Sequence, residues 1–192
     1  MARELVRFAK SRPVLVLTHD LVLLSLLLGI AEKESVECTC SAIRRGSKTA
    51  GHISEGTPWD GQKVKQRLGV LKNALPILEK EAADRPEKYE TEIRHFYGRL
   101  RDTWERAVEE VLLKNAVTRF APQIKTQSLK GLQNVTETQL ATLDMGMTRA
   151  SSWVSGHDHA EALAATPPSP DEARADLAQL EKWVSEVRAA VS

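Results

Sequence analysis

Two groups of side chains in this sequence have the types and spacing to do chemistry. His19 follows the apolar run Val14, Leu15, Val16 and Leu17 in "VLVLTHD". As a buried strand, that run would place His19 at its carboxyl end, where open α/β sheets bind their ligands. A neutral imidazole there can donate to a phosphate oxygen. Farther on, Arg101 and Glu105 stand four residues apart in "RLRDTWERAVEEVLL", so a helix would project both from one side. His157 sits in "GHD", in a loop loosened by Gly156. Each group also has an ordinary role. Thr18 or Asp20 can cap the following helix. An Arg and a Glu at this spacing form a solvated ion pair worth about a few tenths of a kcal/mol. His157 and Asp158 can serve a turn.

The remaining candidates are weaker. Cys38 and Cys40, the two cysteines, are adjacent in a C-x-C arrangement that suits neither a disulfide framework nor a zinc site, and no second ligand pair lies at zinc spacing. His95 falls on the flank of a helix and His52 in a polar loop beside Glu55. Lys125 and Lys130, with Arg119, make a modest basic stretch. Trp59, Trp104, Trp153 and Trp183 are spread over separate elements, as packing anchors would be.

The elements that must position these groups change character once along the chain. Residues 2–11 read as a helix, 13–18 as a strand, 20–34 as an apolar helix and Val36–Arg45 as a second strand, a βαβ-like piece. "GSKTAGHISEGTPWDG" then reads as the boundary loop, which divides the chain into an α/β piece at 1–55 and a helical domain at 56–192. Helices follow from Asp60 to about Ala83 and from Pro86 to about Phe120, where Pro122 stops the second. The stripe Ile93, Phe96, Leu100, Trp104, Ala107, Val108 and Val111 marks its core face, with Arg101 at the margin and Glu105 beyond. A short helix covers Gln127–Leu132. Thr136 opens the next in a capping box with Gln139 and it runs to about Val154, and Asp171–Ala190 closes the chain. The fold class expected is an α/β fragment followed by a mainly α-helical bundle.

Bulk properties narrow the functions. The chain has 192 residues, 42% of them hydrophobic, and a formal net charge of +1 that speaks against broad binding to a phosphate backbone. Two cysteines outside any disulfide pattern suit a reducing cytoplasm. The apolar stretch Leu21–Ile30 is too short to span a bilayer, and "MARELVRFAKSRP" has the pattern of an amphipathic helix rather than a signal peptide.

"VLTHD" resembles the last strand of an ABC-type ATPase core, the class that includes chromosome-maintenance and repair ATPases. The resemblance implies that His19 is the switch histidine sensing the γ-phosphate. No G-x-x-x-x-G-K-[ST] loop and no magnesium-holding acidic strand accompany it, so ATP and Mg²⁺ are expected only with a missing ATPase portion, and no hydrolysis from this chain alone. The stretches "RLRDTWERAVEEVLL", "VTRFAPQIKTQSLKGL", "MTRASSWVSGHDHA" and "PPSPDEARADLAQLEKWV" are similar to the C-terminal region of bacterial ATPases related to the anticodon nucleases, whose ATPase restrains a HEPN-like helical ribonuclease. That resemblance implies a catalytic set of Arg101, Glu105 and His157, acting without metal or other cofactor. The stricter HEPN spacing of Arg-x(4–6)-His is not matched, since seven residues separate Arg149 from His157.

Two functions follow as expectations. One is a ribonuclease effector on an ATPase, acting in anti-phage defence on tRNA or another structured RNA. The alternative is a non-catalytic helical regulatory or assembly cap of a repair or SMC-like ATPase. The expected partners are the remaining ATPase portion or an upstream ATPase subunit, with no membrane. An exposed sheet edge at 13–18 would favour a homo-oligomer.

Overall fold

The computed structural model describes residues 1–46, 49–117, 124–154 and 166–192. It divides into two compact units, Met1–Gln62 and Lys63–Ser192.

In the first unit, α1 (Ala2–Ala9) packs on α2 (Leu21–Lys33) through Val6, Leu27 and Ala31. A Lys10–Glu34 ion pair of 2.5 Å joins their far ends. Asp20 starts α2 by accepting hydrogen bonds from the Val22 and Leu23 amides at 2.8 and 3.3 Å. Ser35, in the left-handed region at φ 53°, lets the Val36 amide turn back to the Ala31 carbonyl at 2.9 Å and close the helix. An antiparallel hairpin follows, β1 (Ser41–Arg45) with β2 (Ala50–Glu55), in the register Ser41↔Glu55 and Ile43↔Ile53.

This unit departs from the expected βαβ piece in two ways. Residues 13–18 are extended but belong to no strand, and Leu15 and Leu17 are 86% and 79% exposed, with only Val16 turned toward the α1–α2 contact. An apolar run becomes a strand only when a neighbour takes up its backbone groups, and no backbone hydrogen bond is formed by Val14–Leu17 among the described residues. The residues expected to pair with it instead start a strand at Ser41 and pair with the next few residues. A hairpin needs only a short connection, whereas parallel pairing needs a crossover. β2 itself lies inside what the composition marks as loop, because "AGHISE" offers one large apolar residue, Ile53.

The second unit is a helical bundle of α3 (Val64–Asp84), α4 (Pro86–Ala107), α5 (Glu137–Ser151) and α6 (Pro170–Val191). Ile93, Phe96, Leu100, Trp104, Ala107 and Val111 are buried as the stripe predicts. The Trp104 and Trp183 rings meet edge to face at 5.3 Å, and the Trp183 indole Nε1 donates to the Gln139 carbonyl at 2.8 Å. α4 is shorter than its periodicity suggests. After a π-helical turn at Val108–Leu112, Lys114 and Asn115 adopt left-handed backbone at φ 48° and 54°, and the Lys114 ammonium donates to the Val191 carbonyl at 2.8 Å, capping the end of α6. A 3₁₀ stretch at Thr126–Asn134 adds a second cap there, from Asn134 to the Ala190 carbonyl at 3.0 Å. The Thr136/Gln139 capping box forms as read from sequence, and Ser169 with Glu172 makes another at the start of α6.

Glu81, only 3% exposed near the end of α3, accepts from Arg85 and Lys88, each at 2.8 Å. The hydrogen bond from Lys88 holds its carboxyl below the ordinary value, against the opposing effect of burial. A depressed carboxylate stabilises the fold at neutral pH, and that stabilisation is lost as pH falls below 4.5 toward the folded-state value. The destabilisation caused by Glu81→Gln should therefore be largest at neutral pH and fade in acid, as read by urea unfolding across pH. A Cβ on Gly146 would lie 2.4 Å from Trp104 Cζ2, closer than any real Cβ contact, so the buried indole or the helix carrying it would have to shift. Gly146→Ala is expected to cost about 1–3 kcal/mol by overpacking, measured by the same unfolding experiment.

Candidate functional site

The side of α4 that faces the end of α5 carries the sequence-predicted pair. Gly146 lets α5 approach Trp104 closely, and this brings Ser151, at the end of α5, to Arg101. Arg101 Nε donates to Ser151 Oγ at 3.2 Å and Nη2 to Glu105 Oε1 at 2.8 Å. The two side chains are 37% and 26% exposed, so the pair is half-sheltered and still open to water. Exposure of this degree keeps the ion pair's contribution to stability near a few tenths of a kcal/mol. Chemically, the guanidinium retains donors for a phosphate oxygen and the carboxylate is within reach of the same place. His157 lies outside the described residues.

His19 belongs to the other unit and is exposed. It does not end a strand, because residues 13–18 form none. The neighbouring polar groups do the local work: Asp20 caps α2, and the Asp20 amide donates to Thr18 Oγ1 at 2.9 Å. His95 is exposed on α4, and His52, exposed on β2, hydrogen-bonds to Thr49 through Nε2 at 2.8 Å. Lys125, just before the 3₁₀ stretch, and Lys130, within it, are exposed, while Arg119 lies outside the described residues. Trp104, Trp153 and Trp183 are buried as packing anchors. Cys38 and Cys40 are free thiols. Among the described residues no cluster of three His, Cys, Asp or Glu side chains is arranged to hold a metal ion, and no helix is long and apolar enough to cross a membrane.

A polar cluster that the sequence reading missed ties α4, α5 and α6 together. The Tyr97 hydroxyl donates to Asp176 Oδ2 at 2.5 Å, and Arg149 donates to Asp176 through Nε at 3.3 Å and to Glu172 through Nη2 at 2.8 Å. Burial first, and then the bond to Asp176, push the Tyr97 phenol well above its ordinary value. Hydrogen bonds from Ser169 hold Glu172 below the usual carboxylate value, and Arg149 adds to this. The available signal was Glu172 and Asp176 one turn apart at a helix start, a spacing that brackets a cation. Arg149, committed to these carboxylates, is thus a structural tie.

Two shallow grooves border this region. One, of about 400 Å³, is lined by Thr91, Arg94, His95 and Val154. The other, of about 500 Å³, runs along α5 over Asp144, Met145, Thr148, Arg149 and Ser152.

The capping geometry separates His19 from its neighbour. Asp20→Ala should weaken α2 by about 1 kcal/mol, the usual worth of an N-cap. His19→Ala should leave it unchanged, as an exposed side chain would. Hydrogen exchange of the α2 amides measures both, and equal effects would contradict the assignment of the cap to Asp20.

No protein-family model, no curated protein and no solved structure matches this chain.

Proposed function

We propose that this chain is the C-terminal part of an ABC-type ATPase carrying a metal-independent, anticodon-nuclease-like ribonuclease module that acts in anti-phage defence. The observation that carries the nuclease reading is the Arg101–Glu105 pair at 2.8 Å, set at the end of α5 from which the chain runs on to His157. In the reaction, the RNA 2′-hydroxyl loses its proton and attacks the adjacent phosphorus. The 5′-oxygen then leaves with a proton, giving a 2′,3′-cyclic phosphate and a free 5′-hydroxyl. His157 and Glu105 share the proton transfers, and Arg101 holds the phosphate as charge builds on it. Because Glu105 and the phosphate compete for one guanidinium, substrate binding loosens the ion pair and frees the carboxylate to act as a base.

Support for the ATPase reading comes from the first unit. The extended, apolar Val14–Leu17 has exposed leucines and no backbone partner among the described residues, as a strand would if its sheet were supplied by the remaining ATPase portion or an upstream subunit. His19 then senses nucleotide only in that assembly, where ATP and Mg²⁺ are held by the other portion. The same edge favours self-association of the isolated chain.

A second reading, the non-catalytic helical cap of a repair or SMC-like ATPase, is favoured by one observation: Arg101 already donates to both Ser151 and Glu105, a satisfied structural contact. Expression of the chain in bacteria separates the two. On the nuclease reading, growth slows and tRNA or another structured RNA is cut. His157→Ala and Arg101→Ala abolish both effects, and Glu105→Gln lowers cleavage by about 10²-fold or more while the fold is kept. Intact RNA profiles, or a His157→Ala chain as toxic as its parent, select the cap.

A further inference from the structure

Arg94 and Arg101 lie two turns apart on α4, and both turn toward the end of α5. The Arg94 guanidinium stands 6.0 Å from the Trp153 ring centre, as Arg101 reaches Ser151. Seven residues of helix separate the two arginines by about 10 Å along the axis. Beside Arg94 is the groove of about 400 Å³ lined by Thr91, Arg94, His95 and Val154. Its polar lining consists of a hydroxyl, a guanidinium and an imidazole, all able to donate, with no carboxylate among them. Glu90 holds Arg94 from one side at 2.9 Å, but that carboxylate is itself half in water and leaves further guanidinium donors for an anion.

We infer that this groove binds the phosphodiester backbone of the RNA strand next to the phosphate gripped by Arg101. The inference rests on the ribonuclease reading for its ligand and adds the direction in which the strand runs, along α4 toward its N-terminal half. Arg94 supplies the charge, Thr91 and His95 supply hydrogen bonds, and the base edges are not read, so binding here is tolerant of sequence. None of the three takes part in proton transfer. Their loss raises KM and leaves kcat in place.

The test uses the full chain and a fluorescently labelled single-stranded oligoribonucleotide, with Glu105→Gln as the background so that the probe survives. Arg94→Gln and His95→Glu should each weaken binding about tenfold, the worth of one charge-assisted contact. Arg94→Gln should also make the salt dependence shallower by about 0.7 in the log–log slope, the value for one single-strand phosphate. Arg94→Lys, which keeps the charge, should retain most of the affinity. Circular dichroism of each variant should match the parent. Unchanged affinity in both variants and an unchanged slope in Arg94→Gln, with the background protein still binding RNA, overturn the groove and leave the nuclease reading standing. Weakened binding in a chain that cuts no RNA upholds the groove and removes the nuclease. Failure of the chain to bind RNA with or without Glu105→Gln overturns both.

Discussion

Trp104 packs closely against the bare backbone of Gly146 and meets the ring of Trp183 edge to face. Much of the helical unit's arrangement follows from this contact. The absence of a side chain at 146 sets how close α5 comes to α4, and that closeness is what lets Ser151 reach Arg101. Trp183 brings α6 onto the same ring, and its indole bond to the Gln139 carbonyl fixes the start of α5. A large aromatic buried against glycine is sensitive to small changes, since close-packed interiors tolerate neither added methyl groups nor voids. The half-exposed Arg101–Glu105 pair inherits its position from a contact that neither residue makes.

The Tyr97–Asp176–Arg149–Glu172 cluster supports the same geometry with polar chemistry. Glu172 sits in the first turn of α6, where the helix dipole also favours negative charge, Asp176 lies one turn farther along, and Arg149 bridges the two from α5. Glu172 serves two ends at once, closing the capping box with Ser169 and receiving Arg149. Removing one member of such a cluster leaves others without partners, which costs more than the contact itself contributes. Arg149 and Arg101 therefore differ in kind, although both are arginines near the end of α5. Two carboxylates of another helix hold the first, and a single carboxylate of its own helix holds the second.

The two units contrast in how far they satisfy their own apolar surface. In Lys63–Ser192, a continuous core runs from Leu71 and Leu78 through α4 to Leu177, Leu180 and Val187. In Met1–Gln62, α2 is apolar around much of its circumference, yet within it only Leu27 and Ala31 are buried. Ile43 and Ile53, paired across the hairpin, are 66% and 73% exposed. A two-stranded hairpin with its large apolar pair in water is marginal by itself, and a helix apolar on all sides is normally enclosed.

Much of the helical unit was legible in the sequence because its signals are local. A helix forms its hydrogen bonds within itself, so the Ile93–Val111 stripe, the Thr136/Gln139 box and Pro86 in the first turn were enough to place the start of α4 and the whole of α5 to within a few residues. Arg101 and Glu105 could be put on one side of a helix for the same reason. The first unit misled because a strand's hydrogen bonds belong to another segment. Val14–Leu17 carries the composition of a buried strand, but composition cannot say whether a partner is present, and β2 has a partner without the composition. The end of α4 was equally hidden, since its left-handed Lys114 and Asn115 are matched by a cap on a helix end far along the chain. Only tertiary structure joined Arg101 to Ser151 and Tyr97 to Asp176, because those contacts depend on how closely α5 and α6 approach α4. That distance is set by a glycine and two tryptophans whose meeting no local pattern encodes.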